Sequence, residues 1–409
     1  MNRVLFVDED KNALDSLRVM LHPMRATWDM SFTPDGQEGL RMMEAGGPFD
    51  VVVTELRMPI MPGTKFLREV MTKYPLTVRF VLSGDLDDQN LSRAAAVAHQ
   101  VLAKPCDAHR LREVITRVLS LKDRFDNRFL KETLLNIGSL PSVPVVYTEV
   151  MREIQSENSS MDKIGKLIQR DPGMSAKVLQ IVNSAHMGLR HKISSITHAC
   201  TMLGMQNIKA FVLFAELFAS AEKGKLPKGF SLDLLWNHGL AVGGFAKRIA
   251  EAEDAPRNVM EDSYTAGLMH DIGLLILASQ LPDKLVEVLN MKRSSPVTVW
   301  EAEKRVLGAT HADIGGYLLD LWGLPDSIVG AITYHYYPSG RPESFHSPTS
   351  EDEVAGFDAL TAVHVANFFC EGEEAKEHDL KPDIDAVYLE RLGLSERVDR
   401  WYDVCFAST

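Results

Sequence analysis

The sequence predicts an α/β unit built on a doubly wound parallel sheet, followed by an all-α unit. Three observations predict this. Over residues 1–122, short β-rich apolar runs alternate with amphipathic helical segments, the pattern of a parallel sheet wrapped by helices. At residues 137–144 the run Ile-Gly-Ser-Leu-Pro-Ser-Val-Pro breaks any helix. From Val145 onward the apolar residues recur at helical spacing, and alternating β-branched runs are absent.

Taken in order, residues 4–7, 51–53, 80–82 and 101–102 read as strands, each brief and followed by polar or turn residues. Between and after them, residues 12–21, 37–44, 64–73, 88–98 and 108–121 carry the helical period. Residues 123–135 form a charged, helix-prone linker, and the second unit spans 136–409. Its helical segments include 161–170, 175–185, 193–203, 208–219, 234–251, 259–281 and 300–307. Ser160 is placed to cap one start, and Ser194 or Ser195 another. Residues 344–353 read as a mobile polar loop, 371–385 as a solvated acidic connection, and Trp401 and Phe406 as part of a short final helix docked on the body.

Composition narrows the function classes. A net charge of −12 without a local basic patch argues against tracking a phosphate backbone, so no nucleic-acid partner is expected. No apolar run approaches the roughly 20 residues needed to span a bilayer, and the N-terminus lacks the long apolar stretch of a signal peptide. The four cysteines, 106, 200, 370 and 405, are widely separated and fall in no metal-ligand spacing. A cytoplasmic protein with free thiols is the reading.

The residues after the strand ends carry chemistry. Asp8, Glu9 and Asp10 follow the first strand, Glu55 a later one, then Ser83 and Lys104. In a doubly wound sheet these positions gather at one edge. Acids that hold Mg²⁺, with a hydroxyl and an ammonium to take up charge on phosphoryl oxygens, are what phosphoryl transfer to a carboxylate needs. The segments VLFVDED, DVVVTELRMPIMPG, FVLSGD and VLAKPCD closely resemble the response-regulator receiver family, implying a five-stranded sheet and a Mg²⁺-binding pocket. In that family the residue three before Met58-Pro59 is the phosphorylated aspartate. Here it is Glu55, whose extra methylene misplaces the carboxylate for in-line transfer. Glu55 is expected instead to reach toward Lys104 or Ser83 and hold the unit in a phosphate-independent form. Val101 stands where receivers often carry a rotating Tyr or Phe.

The second unit contains LPSVP, IQRDPGMSAKVLQIVNSA, ISSITHACTMLGMQNI, LWNHGLAVGGFAKRIA, AGLMHDIGLLILA, THADIGGYLLDLWGLPDSIVGAI and VHVAN. Together these resemble the HDOD family, a branch related to the HD phosphohydrolases and regarded as a signalling output module. The related HD-GYP pattern falls on His238, His270, Asp271, His311 and His335, side chains of a kind suited to Fe or Mn, although the departures from the pattern lead to the expectation that this pocket holds no metal. Departures from that pattern are Tyr336 for a second histidine, Asn367 for the final aspartate and Leu274 for a lysine; the GYP loop is not reproduced at 337–342. His364, one turn before Asn367, is a steric stand-in. The resemblance implies a non-catalytic signalling adaptor, homodimeric, that binds another signalling protein or a nucleotide-like ligand. The alternative is a metal-dependent phosphohydrolase acting on a cyclic dinucleotide such as cyclic di-GMP.

Overall fold

The computed structural model describes residues 1–84, 87–124, 144–154, 158–183, 192–222, 226–341, 356–375 and 384–406, with single positions 130, 133 and 156. Most of the linker at 123–135, the break at 137–143 and the loop at 344–353 lie outside them. The chain divides into two compact units, Met1–Ser159 with Leu321–Gly323, and Ser160–Asp320 with Leu324–Thr409.

The first unit runs β1 (Asn2–Val7), α1 (Lys11–Met20), β2 (Trp28–Thr33), α2 (Gly36–Gly46), β3 (Val51–Thr54), α3 (Gly63–Lys73), β4 (Val78–Ser83), α4 (Asp88–Ala95), β5 (Gln100–Ala103), α5 (Ala108–Arg124) and α6 (Val145–Ile154). The five strands are all parallel, in the order β2-β1-β3-β4-β5. Central strands of such a sheet are covered on both faces, which is why Val51, Val52 and Val53 are all buried. The sequence reading named no strand between the first two helices. β2 fills that place, but Trp28-Asp-Met-Ser-Phe-Thr is an edge strand with a mixed burial pattern, so its apolar signal is weak. Aspartates start three of the helices: Asp10, Asp35 and Asp87 accept from the backbone N–H groups of Asn12, Gln37 and Asn90. Helix α6 packs on α4 and β5 through a face that includes buried Tyr147 and Val150.

The second unit is helical: α7 (Met161–Gln169), α8 (Pro172–Val182), α9 (Ile196–Glu222), α10 (Leu232–Ala252), α11 (Arg257–Met269), α12 (Ile272–Gln280), α13 (Pro282–Ser294), α14 (Val299–Val306), α15 (His311–Leu321), α16 (Asp326–Tyr334), α17 (Ala359–Ala375), α18 (Ala386–Arg391) and α19 (Val398–Phe406). Ser160 caps α7 and Ser195 caps α9, accepting from the N–H groups of Lys163 and His198. α9 kinks at Gly204, whose φ of 76° only glycine adopts without strain. Helix α10 packs against α11 and α17, and α11 against α16 and α17. The α10–α11 crossing is close because glycines meet there: a Cβ on Gly267 would lie 2.8 Å from the Gly243 Cα. The final helix docks as expected. Trp401 is buried and its Nε1–H donates to buried Glu253 at 2.8 Å, while Arg397 pairs with the same carboxylate.

Two expectations are corrected. Residues 259–281 form two helices, because the chain turns at His270-Asp271, where Asp271 leaves helical geometry at φ −96°, ψ 12°. The acidic stretch 371–385 is not all solvated: α17 runs on to Ala375, and Glu371 turns toward Asn367 and Tyr336.

Candidate metal centre and carboxylate pocket

The parallel sheet delivers Asp8, Glu55, Ser83 and Lys104 to one edge, directly after β1, after β3, at the end of β4 and after β5. Glu55 is fully engaged. Its Oε1 accepts from its neighbour's backbone, Leu56 N–H at 2.6 Å, and from the Ser83 hydroxyl; its Oε2 lies 2.8 Å from Lys104 Nζ. Asp8 is engaged too, Oδ1 by the Asp10 N–H at 3.0 Å and Oδ2 by Lys104 Nζ at 2.5 Å. Burial opposes the Lys104 charge, but hydrogen bonds to Asp8 and Glu55 outweigh it and hold the ammonium's pKa above its ordinary value. Glu9 is exposed and lines a neighbouring cavity of about 530 Å³ with Thr64, Asn90 and Arg93. Asp10 serves as the cap of α1. Val101 is half-buried against the sheet core.

In the second unit, helix ends bring the histidines together. His270 is the C-cap residue just after α11 and His335 that just after α16, and each turns its Nδ1 back to a carbonyl three residues earlier, Gly267 O and Ile332 O, both at 2.7 Å. A carbonyl only accepts, so Nδ1 carries the proton in both rings and Nε2 presents a lone pair. His311 opens α15, where Thr310 and Asp313 cap each other's backbone. Asp271 stands at the start of α12 between them. Its Oδ1 lies 3.3 Å from His270 Nε2, 2.9 Å from His311 Nε2 and 4.0 Å from His335 Nε2. His238, on α10, has its Nε2 3.8 Å from Asp271 Oδ2 and 3.1 Å from Asn367 Oδ1.

Ligand atoms around one cation with bonds of about 2.1 Å sit roughly 3–3.5 Å apart; His270 and His311 stand at 3.3 and 2.9 Å from Asp271 Oδ1, and His335 at 4.0 Å. Among the described residues, His270 Nε2, His311 Nε2, His335 Nε2 and Asp271 Oδ1 are buried atoms with no directed hydrogen bond, and with His238 they form two triads that share Asp271, His238–His270–Asp271 and Asp271–His311–His335. Buried polar atoms are ordinarily paired, so this donor set fits a divalent metal. The electrostatics match a charge-dense centre. Burial raises the Asp271 carboxyl, but the neighbouring His270 and His311 bring it well below the usual range. Burial, reinforced by His270, drives the His335 imidazole well below its usual value.

The remaining pattern positions are tied up. Asn367 spends its oxygen on His238 and its amide N–H on Glu371 at 3.2 Å, and the Tyr336 hydroxyl donates to Glu371 at 3.3 Å. Burial raises the pKa of both Tyr336 and Glu371. His364 is no stand-in ligand: its Nδ1–H donates to His335 O at 2.6 Å, and its Nε2 accepts from the Asp385 N–H at 2.9 Å. Sequence reasoning missed Glu303 on α14, fully buried with its carboxylate on His311, because an isolated glutamate in a helix reads as surface. It also missed Glu371, read as part of a solvated tail.

Two family models match the chain, the response regulator receiver domain over residues 4–116 and the HDOD domain over residues 140–338. The chain carries a receiver domain followed by an HDOD domain. A receiver domain and an HDOD domain in one chain support a signalling-regulator role. An uncharacterized protein of Treponema pallidum is 26% identical over 213 residues, 51% of this chain and 40% of its own length. Protein-glutamate methylesterase/protein-glutamine glutaminase 3 of Geobacter sulfurreducens is 27% identical over 160 residues, 39% of each chain. The chain thus spans less than half the length of these curated relatives. Among solved structures, an HDOD domain protein from Geobacter sulfurreducens aligns at 22% identity and TM-score 0.49, covering 71% of this chain and 90% of that one. A receiver domain from an HD domain-containing protein of Pseudomonas fluorescens aligns at 26% identity and TM-score 0.28, covering 30% and 97%. The HDOD match ends before α17, so His364 and Asn367 lie beyond it. Among the described residues, no helix is long and apolar enough to cross a membrane.

Proposed function

We propose that this receiver–HDOD protein is a non-catalytic signalling regulator that acts on another signalling protein by contact, with a receiver pocket that works without phosphoryl transfer. The observation that carries the reading is the engagement of Glu55. Three donors, the Leu56 N–H, the Ser83 hydroxyl and the Lys104 ammonium, already surround its carboxylate. These are the groups that would otherwise meet a phosphoryl group, so the pocket is closed on its own side chain. Four free thiols suit a reducing cytoplasm. The test is incubation of the full chain with Mg²⁺ and acetyl phosphate, followed by intact mass measurement. Wild type is expected to gain no phosphoryl mass, whereas Glu55→Asp restores a labile adduct. Stoichiometric phosphorylation of wild type contradicts the reading.

For the HDOD centre we propose one divalent cation, Fe or Mn, held by the fully buried triad Asp271, His311 and His335, with His270 adjoining it through Asp271 and His238 diverted to Asn367. The convergent, undirected nitrogens favour a second reading, a metal-dependent phosphohydrolase. A bound cation there would supply Lewis-acid polarisation of a phosphate oxygen. Against it stands Asn367, whose neutral amide adds no charge toward a second cation and is committed at both ends. Neither the family matches nor the curated relatives point to cyclic di-GMP as a substrate. Turnover of bis-p-nitrophenyl phosphate by Mn²⁺-loaded protein, abolished by His270→Ala, would establish the second reading over the first.

A further inference from the structure

We propose that Glu303 is a positioning residue for the metal centre, an inference that rests on the single-cation reading of the HDOD site. The carboxylate is fully buried on α14. An ionised carboxylate in such a place needs compensation by directed donors. Among the described residues its donors all belong to one residue: Oε2 accepts from the His311 N–H at 2.9 Å, and both oxygens lie 2.8 Å from His311 Nδ1. Among the described residues no lysine or arginine pairs with it.

This grip does three things to His311. It fixes the backbone of the first helical residue, using an amide that α15 cannot satisfy internally. It holds a proton on Nδ1, so that Nε2, 2.9 Å from Asp271 Oδ1, is the ring nitrogen turned toward the site. It also raises the basicity of that nitrogen through the hydrogen bond. The other two histidines obtain the same tautomer from neutral carbonyls of their own helices, Gly267 O and Ile332 O. His311 differs because it sits at a helix start, where no carbonyl of the preceding turn is available, and Glu303 takes the carbonyl's place. Removing the carboxylate frees the ring to rotate or to carry its proton on Nε2, where a cation would bind.

A purely structural carboxylate would only cap α15, and the two roles are separable. The full chain is stripped of metal and titrated with Mn²⁺, free ion being counted by electron paramagnetic resonance. Wild type is expected to bind one ion per chain. Glu303→Gln keeps an acceptor for the His311 N–H but no longer holds the ring with a charge, and is expected to bind about 10–100-fold more weakly. Its metal-free circular dichroism and Tm, measured alongside, separate a loss of folding from a loss of metal affinity. A Glu303→Gln protein that folds and binds Mn²⁺ as tightly as wild type overturns the positioning role. Failure of wild type itself to bind Mn²⁺ overturns the single-cation reading and this inference with it, so the two failures are distinguishable.

Discussion

At the residue scale, one methylene separates Glu55 from the aspartate of the receiver pattern, and the structure shows where it goes. The longer side chain reaches back to its own neighbour's N–H and forward to Ser83 and Lys104. The strand-end positions were legible because a parallel sheet leaves little choice about which residues meet at its carboxyl edge. The direction of each hydrogen bond was not, since it depends on rotamers. Lys104 yields a pH prediction. Its folded pKa lies above 10.5, so the Asp8–Lys104–Glu55 contact contributes its full stability below pH 10.5 and loses it as pH rises through the folded pKa. Urea unfolding of wild type and Lys104→Met is expected to differ by a constant amount near neutrality, with the difference shrinking above pH 10.5. A difference that grows with alkalinity would contradict the assigned contact. In the second unit, all five residues taken from the family pattern lie in one cluster, but the pattern gave no hint of Glu303, because a carboxylate's burial is a tertiary property.

At the element scale, the HDOD centre is assembled from helix termini: the ends of α11 and α16, and the starts of α12 and α15. This is why the sequence reading ran one helix through residues 259–281. The apolar period continues on both sides of His270-Asp271, and periodicity alone does not register a one-residue break. The junction demands close packing. Gly273, in the first turn of α12, faces the backbone of His311, and an added Cβ would lie 1.9 Å from the His311 carbonyl oxygen. Backbone cannot yield there cheaply. Gly273→Ala is expected to lower the unfolding free energy of the HDOD unit by about 3 kcal/mol, at the upper end of ordinary overpacking. Denaturant unfolding checks it, and a change below about 1 kcal/mol would show that α12 and α15 are not locked as described. The missed strand β2 has a different cause. Its partial exposure dilutes the apolar signal, and only pairing with β1 makes it a strand.

At the scale of the whole molecule, two compact units each carry their own core, one on the parallel sheet and one around α10, α11 and α17. Burial of the thiols follows from this. Cys200, Cys370 and Cys405 are buried, and burial pushes Cys200 up to about 11 and Cys405 up to about 12, whereas Cys106 is half-exposed. In native protein near neutral pH, a thiol reagent is expected to label Cys106 alone, with the other three reacting only after denaturation; rapid labelling of two or more would contradict the packing. The division into an α/β and an α unit was legible from periodicity, because each period persists over a long stretch.

The central claim is that the receiver pocket is closed on Glu55 and does not take a phosphoryl group. Its most direct test is amide NMR of the full chain during titration with Mg²⁺ and beryllium fluoride, a phosphoryl mimic. The account predicts no saturable shift at Glu55, Ser83 or Lys104 in wild type, and a clear one in Glu55→Asp. Saturable shifts in wild type at Ser83 and Lys104 would contradict it, since they would mean that a phosphoryl group displaces the Glu55 carboxylate from its donors.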